Sequence, residues 1–155
     1  MGRLVVDPDL CVACRNCLLA CVVDRHSLSK NLLGAQDENP KPLPRLYLAE
    51  HAGGSMPVHC RHCDPAACVI ACPTRAMHRD GYGMVVYDDA ACIQCFMCVA
   101  SCPYNACWQS NDRSRVLKCD MCPNRETPAC ADACPTGAIT YDDATESSRS
   151  SGGNS

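Results

Sequence analysis

Seventeen of the 155 residues are cysteine, and sixteen of them fall into four groups of four. The groups are Cys11, Cys14, Cys17, Cys21; Cys60, Cys63, Cys68, Cys72; Cys92, Cys95, Cys98, Cys102; and Cys119, Cys122, Cys130, Cys134. Each has two residues between its first two cysteines and three between its last two. A thiolate is both a redox centre and a soft metal ligand, so the pattern admits a disulfide framework, tetrahedral zinc sites or iron–sulfur centres. Nothing before Cys11 has the apolar run of a signal peptide, and the expected compartment is the reducing cytoplasm, where bound metal explains so many thiols better than eight disulfides and an orphan.

Zinc sites use Cys-x2-Cys pairs, usually well separated, whereas groups one and three crowd three cysteines at x2, x2 spacing and add a fourth at x3. That is the bacterial ferredoxin run, in which three thiolates serve one cluster and the fourth serves another, so clusters come in pairs. A tight loop points three sulfurs at three corners of a small cubane, and the fourth cysteine is expected on a following short helix. Pro73, Pro103 and Pro135 stop three of those helices, because proline lacks an amide hydrogen and restricts the residue before it.

The supporting elements are short. Leu, Ile, Val and Phe make up fewer than one residue in five, too thin a supply for a hydrocarbon core to offset chain entropy alone. An 81-residue offset maps Cys11 on Cys92 and Cys21 on Cys102, which marks an internal duplication. β-Branched runs at Leu4-Val5-Val6 and Met84-Val85-Val86 precede groups one and three, and Ala138-Ile139-Thr140-Tyr141 follows group four. The expected fold class is α+β, with each half reading strand, loop, short helix, turn, strand. Ser27 to Pro57, rich in proline and glycine, reads as a covering loop around a strand at Arg45-Leu46-Tyr47-Leu48, a surface suited to a partner. The tail over 146–155 is too polar to bury.

Other residues invite chemistry less strongly. Cys107, outside the groups, reads as a buried thiol that packs as a small hydrophobe. His59 and His62 flank Cys60, but the cysteine set is complete without them, and a supporting or exposed place suits them better than ligation. Arg15, Arg61, Arg75, Lys118 and Arg125 lie near the cysteines and either offset cluster charge or form solvated surface. Tyr104 and Trp108 read as packing, not electron relays. No catalytic triad, Walker loop or Gly-x-Gly-x-x-Gly motif occurs, so no catalysis or nucleotide site is expected. Fourteen basic against seventeen acidic residues give no nucleic-acid footprint, and no apolar run is long enough to span a membrane.

With these residues in view the chain resembles the four-cluster ferredoxin-like electron-transfer subunits of molybdenum and tungsten oxidoreductases, hydrogenases and carbon monoxide dehydrogenases. The likeness runs from about Asp7 to Tyr141 and is most specific at Cys60-Arg61-His62-Cys63-Asp64-Pro65-Ala66-Ala67-Cys68, at Cys98-Val99-Ala100-Ser101-Cys102-Pro103-Tyr104, and at Lys118-Cys119-Asp120-Met121-Cys122 with its long gap to Cys130. The resemblance implies two interleaved modules, one inserted in the other: 1–35 with 113–145 outside, 58–112 inside, and 36–57 as the covering insertion. It implies four 4Fe-4S clusters, with all sixteen cysteines as iron ligands. One is held by Cys11, Cys14, Cys17 and Cys134; its partner by Cys119, Cys122, Cys130 and Cys21. In the inserted module one is held by Cys60, Cys63, Cys68 and Cys102, and the other by Cys92, Cys95, Cys98 and Cys72. The implied role is non-catalytic relay of electrons between a pterin-bound tungsten or molybdenum subunit and a second redox subunit, flavin- or NAD-linked, with self-association also in reach. Among compact relatives the small subunits of bacterial tungsten aldehyde oxidoreductases are the nearest likeness, with formate dehydrogenase, hydrogenase and carbon monoxide dehydrogenase subunits as alternatives, and a zinc-binding structural module as the alternative of another class. The absence of the long carboxy-terminal extension seen in membrane-associated relatives implies a soluble complex.

Overall fold

The computed structural model describes residues 2–51 and 53–143; the expected polar tail lies outside the described residues. The strands are β1 (Arg3–Val6), β2 (Tyr47–His51), β3 (Gly54–Val58), β4 (Met77–Arg79), β5 (Val85–Tyr87), β6 (Cys107–Gln109), β7 (Val116–Lys118) and β8 (Ile139–Asp142). The helices are α1 (Asn16–Ala20), α2 (Leu32–Asp37), α3 (Ala67–Ile70), α4 (Met97–Ala100) and α5 (Ala129–Asp132). This is a small α+β fold. Among the described residues the strands make four two-stranded antiparallel sheets, β1 with β8, β2 with β3, β4 with β5 and β6 with β7.

The first strand pairs with the last, Arg3 opposite Asp142 and Val6 opposite Ile139, so the two ends of the chain close over everything between them. Side chains alternate across a strand, and on β1 that sends Leu4 and Val6 into a core with Ile139 and Tyr141 of β8, Leu46, Cys17, Cys21 and Cys130. A second core is drawn from the middle of the chain: Ala66, Met77, Val85, Cys98, Cys107 and Val116. Each core mixes thiols with a few aliphatic side chains. The expected boundary at 112/113 falls inside the β6–β7 hairpin, where Cys107 faces Lys118 and Val116 packs in the second core.

The 36–57 stretch, expected as a covering loop, carries part of a helix and a hairpin. Asn31 caps α2 by accepting the Gly34 amide at 2.7 Å, the ordinary service of an asparagine at a helix start. The strand expected at Arg45–Leu48 starts two residues later, at Tyr47, and turns back at Gly53, whose φ of +96° suits a residue without a Cβ. Leu46 and Leu48 pack into the first core, which makes this insertion part of that core's wall. Among the described residues no helix is long and apolar enough to cross a membrane.

Candidate metal centres

The four cysteine loops share one backbone device. The second residue after the leading cysteine is left-handed in every one: Ala13 (φ 53°), His62 (48°), Gln94 (58°) and Met121 (60°). None is glycine, although a left-handed residue with a Cβ costs about 1 kcal/mol or more. The twist swings the amide of that residue back on the leading sulfur: His62 N–H donates to Cys60 Sγ at 3.4 Å, Gln94 to Cys92 at 3.3 Å and Met121 to Cys119 at 3.4 Å. An N–H aimed at sulfur favours the thiolate, the form that binds metal. Such strain persists where the surroundings over-determine it, as at binding sites.

A second device follows three of the trailing cysteines. Helices α3, α4 and α5 end two residues before Cys72, Cys102 and Cys134, and the proline after each cysteine prevents continuation. Three residues beyond the cysteine the chain is left-handed again, at Arg75 (60°), Asn105 (51°) and Gly137 (71°). Their amides close turns on the cysteine carbonyls at 3.4, 3.3 and 3.5 Å. An alanine and a core residue come next, Ala76-Met77, Ala106-Cys107 and Ala138-Ile139, all 3% exposed or less. Met77 N–H then donates to Cys72 Sγ at 3.4 Å, and the Ile139 amide does the same service for Cys134. Cys21 has no proline after it; the chain runs on as a π-helical turn, Cys21–His26, and the Cys21 sulfur accepts instead from the Arg45 amide at 3.2 Å.

These loops bring cysteines from distant groups together. Cys17 interacts electrostatically with Cys11 and Cys14 of its own loop and with Cys134, and the same four line one narrow cleft. Cys119 interacts with Cys130 and Cys21, Cys130 with Cys122 and Cys21, and Cys68 with Cys60 and Cys102. Cys92, Cys95 and Cys98 share one loop, and Cys72 follows α3, which packs on α4. All seventeen cysteines are free thiols. Burial pushes Cys17 up to about 11 and Cys21 and Cys130 up to about 12, and drives Cys119 up as well. A buried thiol gives up its proton when a cation compensates the charge, so metal binding there releases protons. Among the described residues no three Cys, His, Asp or Glu side chains converge tightly enough to grip a single ion. Soft sulfur donors brought together from distant groups fit an iron–sulfur group.

The remaining candidates take varied places. Arg61 stacks its guanidinium over the Tyr104 ring at 4.4 Å, and Arg125 pairs with Asp132 at 2.6 Å and Asp24 at 3.5 Å. Trp108 packs edge-on against Tyr47, ring centroids 5.3 Å apart. His59 is buried with its Nδ1 against the Cys60 carbonyl at 2.9 Å. His62 is buried too: its Nδ1 accepts the Val85 amide at 3.1 Å, its Nε2 has no partner, and burial with the nearby Lys118 charge holds its imidazole down to about 3, hence neutral. Cys107 is the buried thiol expected, and its side chain is hydrogen-bonded to Cys98, which draws Cys98 down to about 7 while Cys107 rises. Of the two places open to Lys118, a charge offset beside the cysteines or solvated surface, it takes a buried one. The Ala-plus-core-residue repeat after Cys-Pro is present in the sequence as a spacing and was not among the expected features.

Known proteins are similar to this chain over most of its length. A family described as the 4Fe-4S dicluster domain matches residues 53–144. The electron transport protein HydN of Escherichia coli strain K12 is 34% identical over 156 residues, covering 90% of this chain and 87% of that protein. An iron-sulfur protein of Rhodospirillum rubrum is 34% identical over 152 residues, 88% of this chain and 79% of its own length. The thiosulfate reductase electron transfer subunit PhsB of Salmonella typhi is 30% identical over 145 residues, 87% of this chain and 72% of its own. With thiols grouped as such centres require and relatives similar over most of their length, the chain belongs to the 4Fe-4S dicluster family of ferredoxin-like electron-transfer proteins.

Proposed function

We propose that this protein holds four 4Fe-4S clusters and relays single electrons between a catalytic oxidoreductase subunit and a second redox partner. The observation that carries the reading is the meeting of Cys134 with Cys11, Cys14 and Cys17, of Cys21 with Cys119, Cys122 and Cys130, and of Cys102 with Cys68, because these three trailing cysteines stand with leading cysteines of another group. The ligand sets are then Cys11, Cys14, Cys17 and Cys134; Cys119, Cys122, Cys130 and Cys21; Cys60, Cys63, Cys68 and Cys102; and Cys92, Cys95, Cys98 and Cys72. The pairing of β1 with β8 outside the two central hairpins supports one module nested in another.

When bound, a cluster with four cysteine ligands presents no open iron to substrate and supplies one-electron, outer-sphere transfer. The chain's own part is to fix sulfur positions through its left-handed loop residues, to donate amides to sulfur, and to keep water from the inner sites with Leu4, Leu46, Met77 and Ile139. Cys14 and Cys95 are the two exposed cysteines, related by the 81-residue duplication, and each follows an exposed apolar residue, Val12 at 65% and Ile93 at 62%. These two loops are the ends of the relay, where partner proteins dock. The catalytic partner is an oxidoreductase, as the relative named a thiosulfate reductase electron transfer subunit supports; a pterin-bound molybdenum or tungsten enzyme oxidising an aldehyde is the narrower reading, and a formate dehydrogenase, hydrogenase or carbon monoxide dehydrogenase partner the alternative. Each relay step moves one electron and breaks no covalent bond.

Anaerobically purified protein should contain about sixteen iron and sixteen sulfide per chain, four of each for every cluster. Half that content, or zinc in a colourless protein, overturns the four-cluster reading.

A further inference from the structure

Lysine is almost never fully buried without a partner, yet Lys118 is 6% exposed, the one buried lysine or arginine among the described residues. It ends β7, and its Nζ donates to two carbonyls from different parts of the chain: Val85 on β5 and, at 2.8 Å, Cys119. Both acceptors are neutral, so the ammonium charge acts on what surrounds it. Cys119 is its neighbour in the chain, and Val85, whose carbonyl it holds, packs in the core that Cys68 borders, so its charge reaches both thiols. On the four-cluster reading they belong to different centres, one in the inserted module and one in the outer. Val85 fixes the geometry, because its carbonyl receives Lys118 while its amide holds His62 at 3.1 Å. Val85 is itself fully buried, and Lys118 therefore has no route to solvent through that side.

We propose that Lys118 is a charged bridge between the two inner metal centres, raising both of their reduction potentials together and leaving the two outer centres untouched. The physical cause is simple: adding an electron increases the negative charge of a cluster, and a fixed cation in a low-dielectric surround stabilises the reduced form of each cluster it lies against. Each outer centre has one cysteine at the surface, Cys14 or Cys95, where solvent screens the same charge more strongly. The inference rests on the four-cluster reading, and adds to it a residue that touches no electron carrier directly and acts by position and charge.

The test is an anaerobic potentiometric titration of the intact, iron-loaded protein followed by electron paramagnetic resonance, with iron and sulfide counted in every sample. Lys118→Gln, neutral and still a donor, should lower two of the four midpoints so that the reduced-to-oxidised ratio at fixed ambient potential falls at least tenfold, about 59 mV for a one-electron couple, while the other two stay in place. Lys118→Arg should restore both. Four unmoved midpoints at full iron content, an equal shift of all four, or an arginine variant that behaves like glutamine would overturn the proposal. Should the glutamine variant not keep its iron, Lys118→Met is read in the same way, and loss of iron from both neutral variants with retention in the arginine one assigns Lys118 a structural role and ends the proposal. Half the iron in the unaltered protein counts against the four-cluster reading itself, so the two failures are distinguishable.

Discussion

Groups one and three have the same cysteine spacing and the same left-handed residues, Ala13 and Arg15 against Gln94 and Phe96, yet the chain leaves them differently. After Cys102 comes Pro103; the helix has already stopped, and within five residues the chain returns with a buried Ala106-Cys107 on β6. After Cys21 comes Val22, the helix runs on to His26, and the buried residue that follows, Ser27, is polar and bonds to Glu38 instead of joining the first core. The missing services are supplied from elsewhere: the amide that reaches Cys21 Sγ belongs to Arg45, and the next residue, Leu46, fills the core position that Met77 and Ile139 fill in the other loops. The difference teaches that the insertion is a component of the first core. The amide that serves Cys21 comes from 24 residues further on, where Cys72 is served from five.

The comparison is broken most directly at Leu46. It is 2% exposed among Leu4, Cys17, Cys21, Cys130 and Ile139, so Leu46→Ala should cost about 2–5 kcal/mol, as much as Met77→Ala costs the second core. The measurement is the rate at which anaerobic protein loses its visible colour in denaturant. A Leu46 variant that bleaches no faster than the parent would make the insertion an ornament. Next in size is Val22→Pro, which installs the missing Cys-Pro. If group one could use that turn, the variant would be tolerated; because the π-helical run with its Ser27-to-Val22 hydrogen bond of 2.7 Å is what positions the insertion, the expected result is a loss of about 3 kcal/mol, read by the same bleaching assay.

Much of this was legible in the letters, and the residues say why. The cysteine spacing marks the loops and Cys-Pro marks where a helix ends, so the loops and the strands β1, β5 and β8 were readable within a residue or two. The short helices carry the third cysteine of each group, Cys17, Cys68, Cys98 and Cys130, while Cys72, Cys102 and Cys134, expected on those helices, lie two residues past their ends. The left-handed positions were not readable, because the usual sign of positive φ is glycine and the sequence has Ala13, His62, Gln94 and Met121 instead. Lys118 was legible only in part: its place beside Cys119 admitted either a charge offset or solvated surface, and only the approach of the Val85 carbonyl, 33 residues away in sequence, shows it buried. Helix α2 is too short for a period, and its one local sign is the Asn31 cap.

Cys107 sharpens the same comparison by a smaller step. It stands where the sister loops have Met77 and Ile139, and what it adds is a hydrogen bond to Cys98. Cys107→Val should therefore keep the fold and the full iron content, at a cost within about 1.5 kcal/mol for a hydrophobic swap of similar size. With Cys98 an iron ligand, as proposed, loss of its hydrogen bond lowers that cluster's potential, so one midpoint should move down while the others stay. A variant that loses iron would make Cys107 a ligand, contrary to its reading as packing.

The smallest effect concerns the way the insertion is tied to the run-on turn. Glu38 accepts from Ser27 Oγ at 2.6 Å, from the Ser29 amide at 2.9 Å and from the Leu28 amide at 3.1 Å. The Ser27 hydroxyl first, and the amides with it, hold its carboxyl down from 4.5 to about 2. A carboxylate depressed in the folded state binds its proton more weakly there than in the unfolded chain, so its contribution is complete above 4.5 and is lost as pH falls from 4.5 towards 2. The Leu28 and Ser29 amides should accordingly lose protection from hydrogen exchange across that window, relative to their intrinsic rates, while amides of the β6–β7 hairpin do not. Glu38→Gln removes the carboxylate and should flatten the pH dependence at those two amides alone. If the dependence survives in the variant, the turn and the insertion are joined by the Arg45 contacts to Cys21 and His26 rather than by this carboxylate.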